Sequence, residues 1–487
     1  MTYSFDPQKI TLPTAHFVGG SYVDGPEALD VRAPSDGRLL AAIPCADSEI
    51  VDRAVTSARD ALKTSGWAGS QPRERLKALH TWADLIEKEA AYLAQLEAIC
   101  SSRPVSQVIE GDIRVTAEQI RFFAEFSDKE GGDLVPTSDG QLGFIAAEPY
   151  GVIGAITPWN FPISMAGWKL GPALAAGNAV VLKPSEMTPF STLYMAELSV
   201  RAGLPAGLIN VVLGDGPVTG NAITGHPGID KVSFTGSTRA GGLIMENIAR
   251  HGIRPMTLEL GGKSPQVVFA DADPEQAVDC LARGILPNAG QFCVAGSRMI
   301  VQRQIAEEIA EKLAVRFGEE SPAATWDDPA GFSPVISENQ LNRMDGIVRA
   351  ALAEGAELIC GGERFDRPGS FYRPTLIAGV DNASPSVREE IFGPVATFQT
   401  FETEEEAVAL ASHETYGLCA GLHTKDLSRA MRMTGRLQAG TVWVNRYGRS
   451  SDHILPTGGW KSSGLGKDLG REAYLANRRT KSVLIDL

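Results

Sequence analysis

The chain has 487 residues, 43% apolar and 21% charged, an ordinary globular composition with length for roughly three domains. Its formal net charge of −14 excludes a nucleic-acid surface built from dense Lys and Arg, and no apolar run reaches the ~20 residues of a membrane span. The first residues, Met1-Thr2-Tyr3-Ser4-Phe5-Asp6, lack the basic and apolar stretches of a signal peptide, so a cytoplasmic location is expected.

Residues 48–63 read as a helix that Ser48 can cap, with Val51, Ala54, Val55, Ala58 and Leu62 at helical spacing. A second helix is expected from Pro72 to about Ser101, through Leu76, Leu79, Leu85, Ile86 and Leu93. From Gly151 the pattern changes to short apolar strands at 152–156, 179–182, 209–213, 231–234 and 256–260. Amphipathic segments at 163–176, 190–202, 216–225 and 239–251 separate them. Continuous apolar strands with helical crossovers imply a parallel sheet covered on both faces, an architecture that binds nucleotides beyond the carboxyl ends of its strands. A second α/β region follows Gly261, with helices expected at 274–286, 304–318, 340–353, 404–412 and 426–437. Its strands are expected at 298–302, 358–360, 395–400 and 441–444. Residues 480–485 have the makings of an edge strand, which pairing with another subunit would protect. There is no internal repeat or long linker.

The six cysteines form no framework and the seven histidines show no ligand spacing, so neither disulfides nor a metal site is expected. Most of the cysteines sit among Leu, Ala and Ile and read as small buried residues. Cys293 differs. In Gly290-Gln291-Phe292-Cys293-Val294-Ala295-Gly296-Ser297 its neighbours are small or polar, which suits an accessible thiol as well as a buried one. Glu259, in Leu258-Glu259-Leu260-Gly261-Gly262-Lys263, puts a carboxylate at the end of a predicted strand. Asn160, in Pro158-Trp159-Asn160-Phe161-Pro162, adds an amide donor that does not titrate. Thiol, carboxylate and amide in Gly- or Pro-rich turns are what covalent carbonyl chemistry needs.

No G-x-G-x-x-G follows a strand, because after Gly214-Asp215-Gly216 the next glycine, Gly220, is one residue too far. Instead Phe234-Thr235-Gly236-Ser237-Thr238 ends a strand and opens a helix, so the Gly236 and Ser237 amides can face a pyrophosphate. Lys183-Pro184-Ser185-Glu186 ends the second strand and offers an ammonium and a carboxylate to a ribose. The same four residues also suit a plain helix start, with Ser185 capping.

With these motifs in hand the chain resembles the aldehyde dehydrogenase superfamily over nearly its whole length, from Phe17-Val18-Gly19-Gly20 to Lys481-Ser482-Val483. PWNFP at 158–162, WKLGPALAAGN at 168–178, KPSE at 183–186 and FTGST at 234–238 occur in family order. ELGGKSP at 259–265, GQFCVAGSR at 290–298, EEIFGP at 389–394 and GGWKSSGLGKDLG at 458–470 follow. The resemblance implies a Rossmann-like parallel-sheet cofactor domain (1–126 and 150–261), an α/β catalytic domain (262–461) and a small β oligomerisation element (127–149 and 462–487). It implies NAD, with NADP possible, an aldehyde as substrate and a homodimer or homotetramer. Cys293 then corresponds to the nucleophile, Glu259 to the general base, and Asn160 with the Cys293 amide to the oxyanion hole. Lys169 and Asp468 correspond to a buried pair linked to proton release. Ile156, Trp159, Lys183, Ser185, Glu186, Gly216, Phe234, Gly236, Ser237, Leu260, Glu390 and Phe392 correspond to cofactor contacts. Phe161, Trp168, Phe292 and Thr457 fall at the substrate. In this mechanism the thiol would have to titrate below the usual ~8.5 to be charged at neutral pH.

Departures from the family pattern mark specificity. Thr457 stands where an aromatic is frequent, Arg239 where an acid is, and Ser102-Arg103-Pro104 replaces Gly-Lys-Pro. The loop Asn445-Arg446-Tyr447-Gly448-Arg449-Ser450-Ser451-Asp452-His453 is unusually basic, and Arg446 or Arg449 could meet a substrate carboxylate, solvent or another subunit. Glu186 disfavours a 2′-phosphate and hence NADP. The competing readings are an acylating enzyme that passes its thioester to coenzyme A, for which the intact Glu259 is out of pattern, and a noncatalytic scaffold.

Overall fold

The computed structural model describes residues 2–449 and 453–487; Met1 and the loop residues Ser450, Ser451 and Asp452, both within stretches read above, lie outside the described residues. Two large sheets dominate. The first has the strand order Ser21–Val23, His16–Val18, Ile209–Val211, Ala179–Lys183, Val152–Ile156, Lys231–Thr235, Met256–Glu259, Gly464–Leu465. The five strands from Ile209–Val211 to Met256–Glu259 are parallel and almost wholly buried, as expected when crossover helices cover both faces. Winding starts at Val152–Ile156, runs outward to Ile209–Val211, then jumps back to Lys231–Thr235 on the other side. The order of the strands therefore reverses between Val152–Ile156 and Lys231–Thr235. At such a reversal neighbouring turns diverge and open a crevice beyond the carboxyl ends.

The second sheet runs Glu357–Cys360, Thr375–Ala378, Val395–Phe401, Arg298–Gln302, Pro265–Val268, Cys419–His423, Thr441–Val444, parallel except at Glu357–Cys360. A separate antiparallel sheet places Gln141–Pro149 between Asp133–Val135 and Arg478–Asp486, so the closing segment is an edge strand. No helix among the described residues is long and apolar enough to cross a membrane.

Three local expectations change. The helix Ser48–Ser65 is capped by Asp47, not Ser48: the extended backbone of Asp47 aims its carboxylate at the Glu49 and Ile50 amides, each at 3.0 Å. The long helix from Pro72 is two, Pro72–Lys88 and Ala90–Ala98. Between them Glu89 leaves helical geometry, its carboxylate held by Tyr194 (3.2 Å) and Arg201 (2.9 Å), and the chain turns into the core. Strands Pro265–Val268, Thr375–Ala378 and Cys419–His423 had not been expected. They are short and buried, and such runs carry no period that separates strand from helix.

Candidate active site

The Cys293 loop is held from three sides. Asn288, Ala289 and Gly290 take consecutive left-handed conformations, with φ of 50°, 49° and 70°. For Asn288 and Ala289 such backbone costs on the order of 1–3 kcal/mol each and persists only where surroundings enforce it. Gln291 supplies the enforcement: its side chain donates to Asn288 O (2.9 Å) and Pro334 O (3.1 Å) and accepts from Ile336 N (2.8 Å). The Asn288 amide donates to Asn160 O (2.9 Å) and Gln291 O (3.2 Å), and the Asn160 amide also donates to Gln291 O (3.0 Å). Asn160 and the thiol loop are thus one hydrogen-bonded unit, and the second N–H of Asn160 has no acceptor among the described residues.

Asn160 lies just past the buried strand Val152–Ile156 and just before the helix Pro162–Ala175. Pro162 opens that helix, while the fully buried Glu97 accepts from Ile163 N (3.0 Å) and Ser191 Oγ (2.6 Å) and serves as a remote cap. Burial lifts Glu97 to about 8. Arg103 lies over the Phe161 ring at 4.7 Å and binds Asp112 through two nitrogens (2.7 and 3.1 Å), so the Ser-Arg-Pro departure braces the Asn160 turn.

Glu259 ends the strand Met256–Glu259, and the turn after it packs on the thiol loop. A Cβ on Gly262 would meet Cys293 O at 2.5 Å, and one on Gly261 would strike the Glu390 carboxylate. Two glycines in sequence therefore let a carboxylate-bearing strand end approach the thiol backbone. Gly458 closes the other side: a Cβ there would lie 2.8 Å from Glu259 Oε1, an oxygen buried without a hydrogen-bond partner. Burial, then the Asp468 carboxylate, hold Glu259 well above the usual carboxylate range against Lys169, Arg449 and Lys467. Lys169 donates to Asp468 at 2.5 Å, both buried. Lys231, lowered by burial to about 8, feels both members of that pair and was missed in the sequence, where it reads as an ordinary strand residue.

Cys293 is half-buried. Burial raises its thiol above the usual value; Arg449 and the Val294 amide pull it down, Glu259 and Glu390 push it up. The expected depression of the thiol is therefore not met: burial and two carboxylates outweigh one guanidinium.

Across from the thiol lies the crevice at the strand reversal. Thr157 and Thr235, at the ends of the two diverging strands, have buried hydroxyls without partners. Trp159 and Phe392 meet edge to face at 5.2 Å, and Phe392 takes a left-handed backbone (φ 57°), its carbonyl held by Gln340 at 2.9 Å. Glu390 accepts from Gly262 N (3.0 Å) and is raised to about 7 by burial. Ile156 is buried at its strand end, Gly216 faces open space, Ser185 Oγ accepts from Met187 N (3.3 Å), and Leu260 N donates to Ser463 O (2.9 Å). One expectation is corrected. The Gly236 amide donates to Glu259 O (3.0 Å) rather than facing outward, because the strand ladder continues one residue further; its α-hydrogen side is covered by the Phe234 ring. Ser237 caps the following helix through Ala240 N (3.2 Å). The Lys183 ammonium is buried and points inward, to Gly214 O (2.7 Å) and Pro184 O (3.0 Å), with only a 3.5 Å contact to Glu186. Burial lowers its pKa.

Beyond the thiol, Trp168 and Thr457 are buried, and Phe161 and Phe292 are partly buried. Thr457 exchanges two backbone hydrogen bonds with Asp468 (2.7 and 2.9 Å), tying this wall to the Lys169 pair.

A doubly wound nucleotide-binding sheet meeting an α/β domain, with a thiol, a raised carboxylate and an amide donor at the junction, defines an oxidoreductase of carbonyl compounds. The family model described as the aldehyde dehydrogenase family matches residues 22–483. An aldehyde dehydrogenase of Davidiella tassiana is 40% identical over 98% of this chain and 96% of its own. Among solved structures, an indole-3-acetaldehyde dehydrogenase complexed with NAD+ superposes with a TM-score of 0.96 at 38% identity, covering 99% of this chain and 98% of that one. The NAD+ complex of an aldehyde dehydrogenase from Bacillus cereus gives 0.95 at 39% identity, covering 97% and 96%. The chain belongs to the aldehyde dehydrogenase family.

Proposed function

We propose that the protein oxidises an aldehyde to a carboxylic acid with NAD, through a covalent intermediate on Cys293 that water hydrolyses. The observation that carries this reading is the single hydrogen-bonded unit joining Asn160 to the Cys293 loop, with Glu259 at its edge. The crevice fits a dinucleotide: it offers two orphaned hydroxyls, Thr157 and Thr235, an aromatic pair and the carboxylates of Glu186 and Glu390. Lys183 and Glu186 would hold the adenosine ribose, their 3.5 Å contact being the one a ribose hydroxyl takes over most readily. Glu186 favours NAD over NADP. Gly216 and Ser237 would border the pyrophosphate, and Trp159, Glu390 and Phe392 the nicotinamide end. NAD supplies a hydride acceptor.

The chain's own residues do the rest. The Cys293 thiol gives up its proton to solvent water and its sulfur bonds to the carbonyl carbon; the carbonyl oxygen becomes an oxyanion. The free N–H of Asn160 and the Cys293 amide stabilise it, each such donor contributing about 3–4 kcal/mol to lowering the barrier. After oxidation the carbon remains on sulfur as a thioester. Glu259, whose buried Oε1 lacks a partner, takes a proton from water, and the hydroxide displaces Cys293 to give the acid. Lys169 and Asp468 would carry that proton away. Glu259 beside the thiol loop favours water over coenzyme A, and a noncatalytic scaffold has no use for so constrained a thiol. On this reading residues 1–126 and 150–261 bind the cofactor and 262–461 carry the chemistry, in a cytoplasmic homodimer or homotetramer. Its oligomerisation element would be 127–149 with 462–487, where Leu134 and Leu484 expose apolar surface. Cys293→Ala should lose aldehyde-dependent NADH formation at 340 nm while still binding NAD; a variant that keeps turning over would refute the covalent route.

A further inference from the structure

Arg449 carries a guanidinium at the lip of the proposed reacting centre and touches its wall at Trp168 and Thr457. It lies over the Trp168 ring at 4.8 Å and donates to the buried hydroxyl oxygen of Thr457 at 2.7 Å. Arg446 donates to its carbonyl (3.2 Å), fixing the backbone that carries it. No carboxylate among the described residues lies within ion-pair distance of Arg449, although most arginines of this acidic chain have one. Its charge acts on both Cys293 and Glu259 although the residue keeps an exposed face toward solvent. The arrangement follows from the departure at Thr457. A ring at that position could not accept from Arg449, whereas a hydroxyl accepts from it and still keeps its own proton to donate.

We propose that Arg449, braced on Trp168 and paired with the Thr457 hydroxyl, receives the far-end carboxylate of an aldehyde acid, making ω-oxocarboxylates the preferred substrates. The inference rests on the dehydrogenase reading and adds the substrate class to it. A planar guanidinium with free N–H groups matches a carboxylate's two oxygens, and the Thr457 O–H supplies a further donor. Trp168 fixes the guanidinium plane, so little side-chain freedom is lost on binding. In a chain of net charge −14, an arginine at the lip with no carboxylate partner among the described residues also offsets repulsion of an anionic substrate.

The test compares kcat/KM, by NADH formation, for 4-oxobutanoate, 5-oxopentanoate and 6-oxohexanoate against butanal, pentanal and hexanal. The wild type should prefer the acid at one chain length or more. Arg449→Met should lower the acid-to-neutral ratio at that length by roughly 10- to 100-fold, the range for a lost hydrogen bond to a charged group. Arg449→Lys should keep part of the preference, since charge survives without the fork. Using the ratio cancels any effect of Arg449 on the thiol itself. Equal losses on both series would assign Arg449 to the thiol alone and overturn the proposal, as would a wild type indifferent to the carboxylate. No NADH from any aldehyde would instead overturn the dehydrogenase reading beneath it.

Discussion

The two sheets approach the reacting centre from opposite ends of their strands. The first contributes carboxyl ends: Thr157, Lys183, Thr235 and Glu259 each stand at or just past the last residue of a parallel strand. The second contributes approaches to amino ends: Gly262 and Lys263 precede Pro265–Val268, and Cys293 precedes Arg298–Gln302. On the first side position follows from ladder register, so a buried apolar strand carries its terminal polar residue to a set place. On the second the residues sit in loops ahead of the strands, where no ladder holds them. Three left-handed residues, Asn288 among them, with Gln291 and the close-approach Gly262 hold the thiol loop. The ladder side can absorb a side-chain change locally. The loop side cannot, because the hydrogen bonds of Gln291 and Asn288 and the approach of Gly262 to Cys293 O are all made to backbone.

Gly262→Ala should separate the sides most sharply. The new Cβ would meet Cys293 O, which is backbone and cannot swing away. A displacement of about 1 Å suffices to lower kcat by about 100-fold. NAD affinity, measured by fluorescence titration, should change little, and a parallel loss of cofactor binding would erase the distinction. Glu186→Gln probes the ladder side. A charged acceptor becomes neutral, so the Kd for NAD should rise about tenfold with kcat nearly constant, and discrimination against NADP should shrink. An unchanged Kd would remove Glu186 from the ribose site.

The smallest effect is a shift in pH dependence. Glu259 must be deprotonated to act as base, and Asp468 is among the causes that raise its pKa. Asp468→Asn removes that charge and frees Lys169 to act on Glu259 unopposed. Both changes favour the carboxylate, so the acidic limb of the kcat–pH profile, where deacylation limits, should move to lower pH. A move to higher pH would mean that Asp468 serves Glu259 in another way.

Legibility divided along the same line. The strand ends at Ile156, Lys183, Thr235 and Glu259 could be read within a residue or so, the first two from unbroken apolar runs and the others from short buried runs in which Ser233 and Thr257 are the small polar exceptions and Lys231 opens the strand. The motifs naming Cys293, Glu259 and Asn160 were equally plain. Glu97 and Lys231 were not, since a charged residue in a helix or strand reads as solvated until distant segments bury it. Short central strands such as Cys419–His423 escaped because five apolar residues carry no period.

By itself the chain's order of residues determined the family and the doubly wound sheet and singled out the candidate reacting groups, since apolar runs and glycine spacing are local properties. Tertiary structure alone decided the rest. The thiol's pKa rose rather than fell, Lys183 and the Gly236 amide turned inward, and Arg449 came to rest on Trp168 and Thr457. Each depends on which charges and acceptors lie within a few ångströms, and residues far apart in sequence supply them.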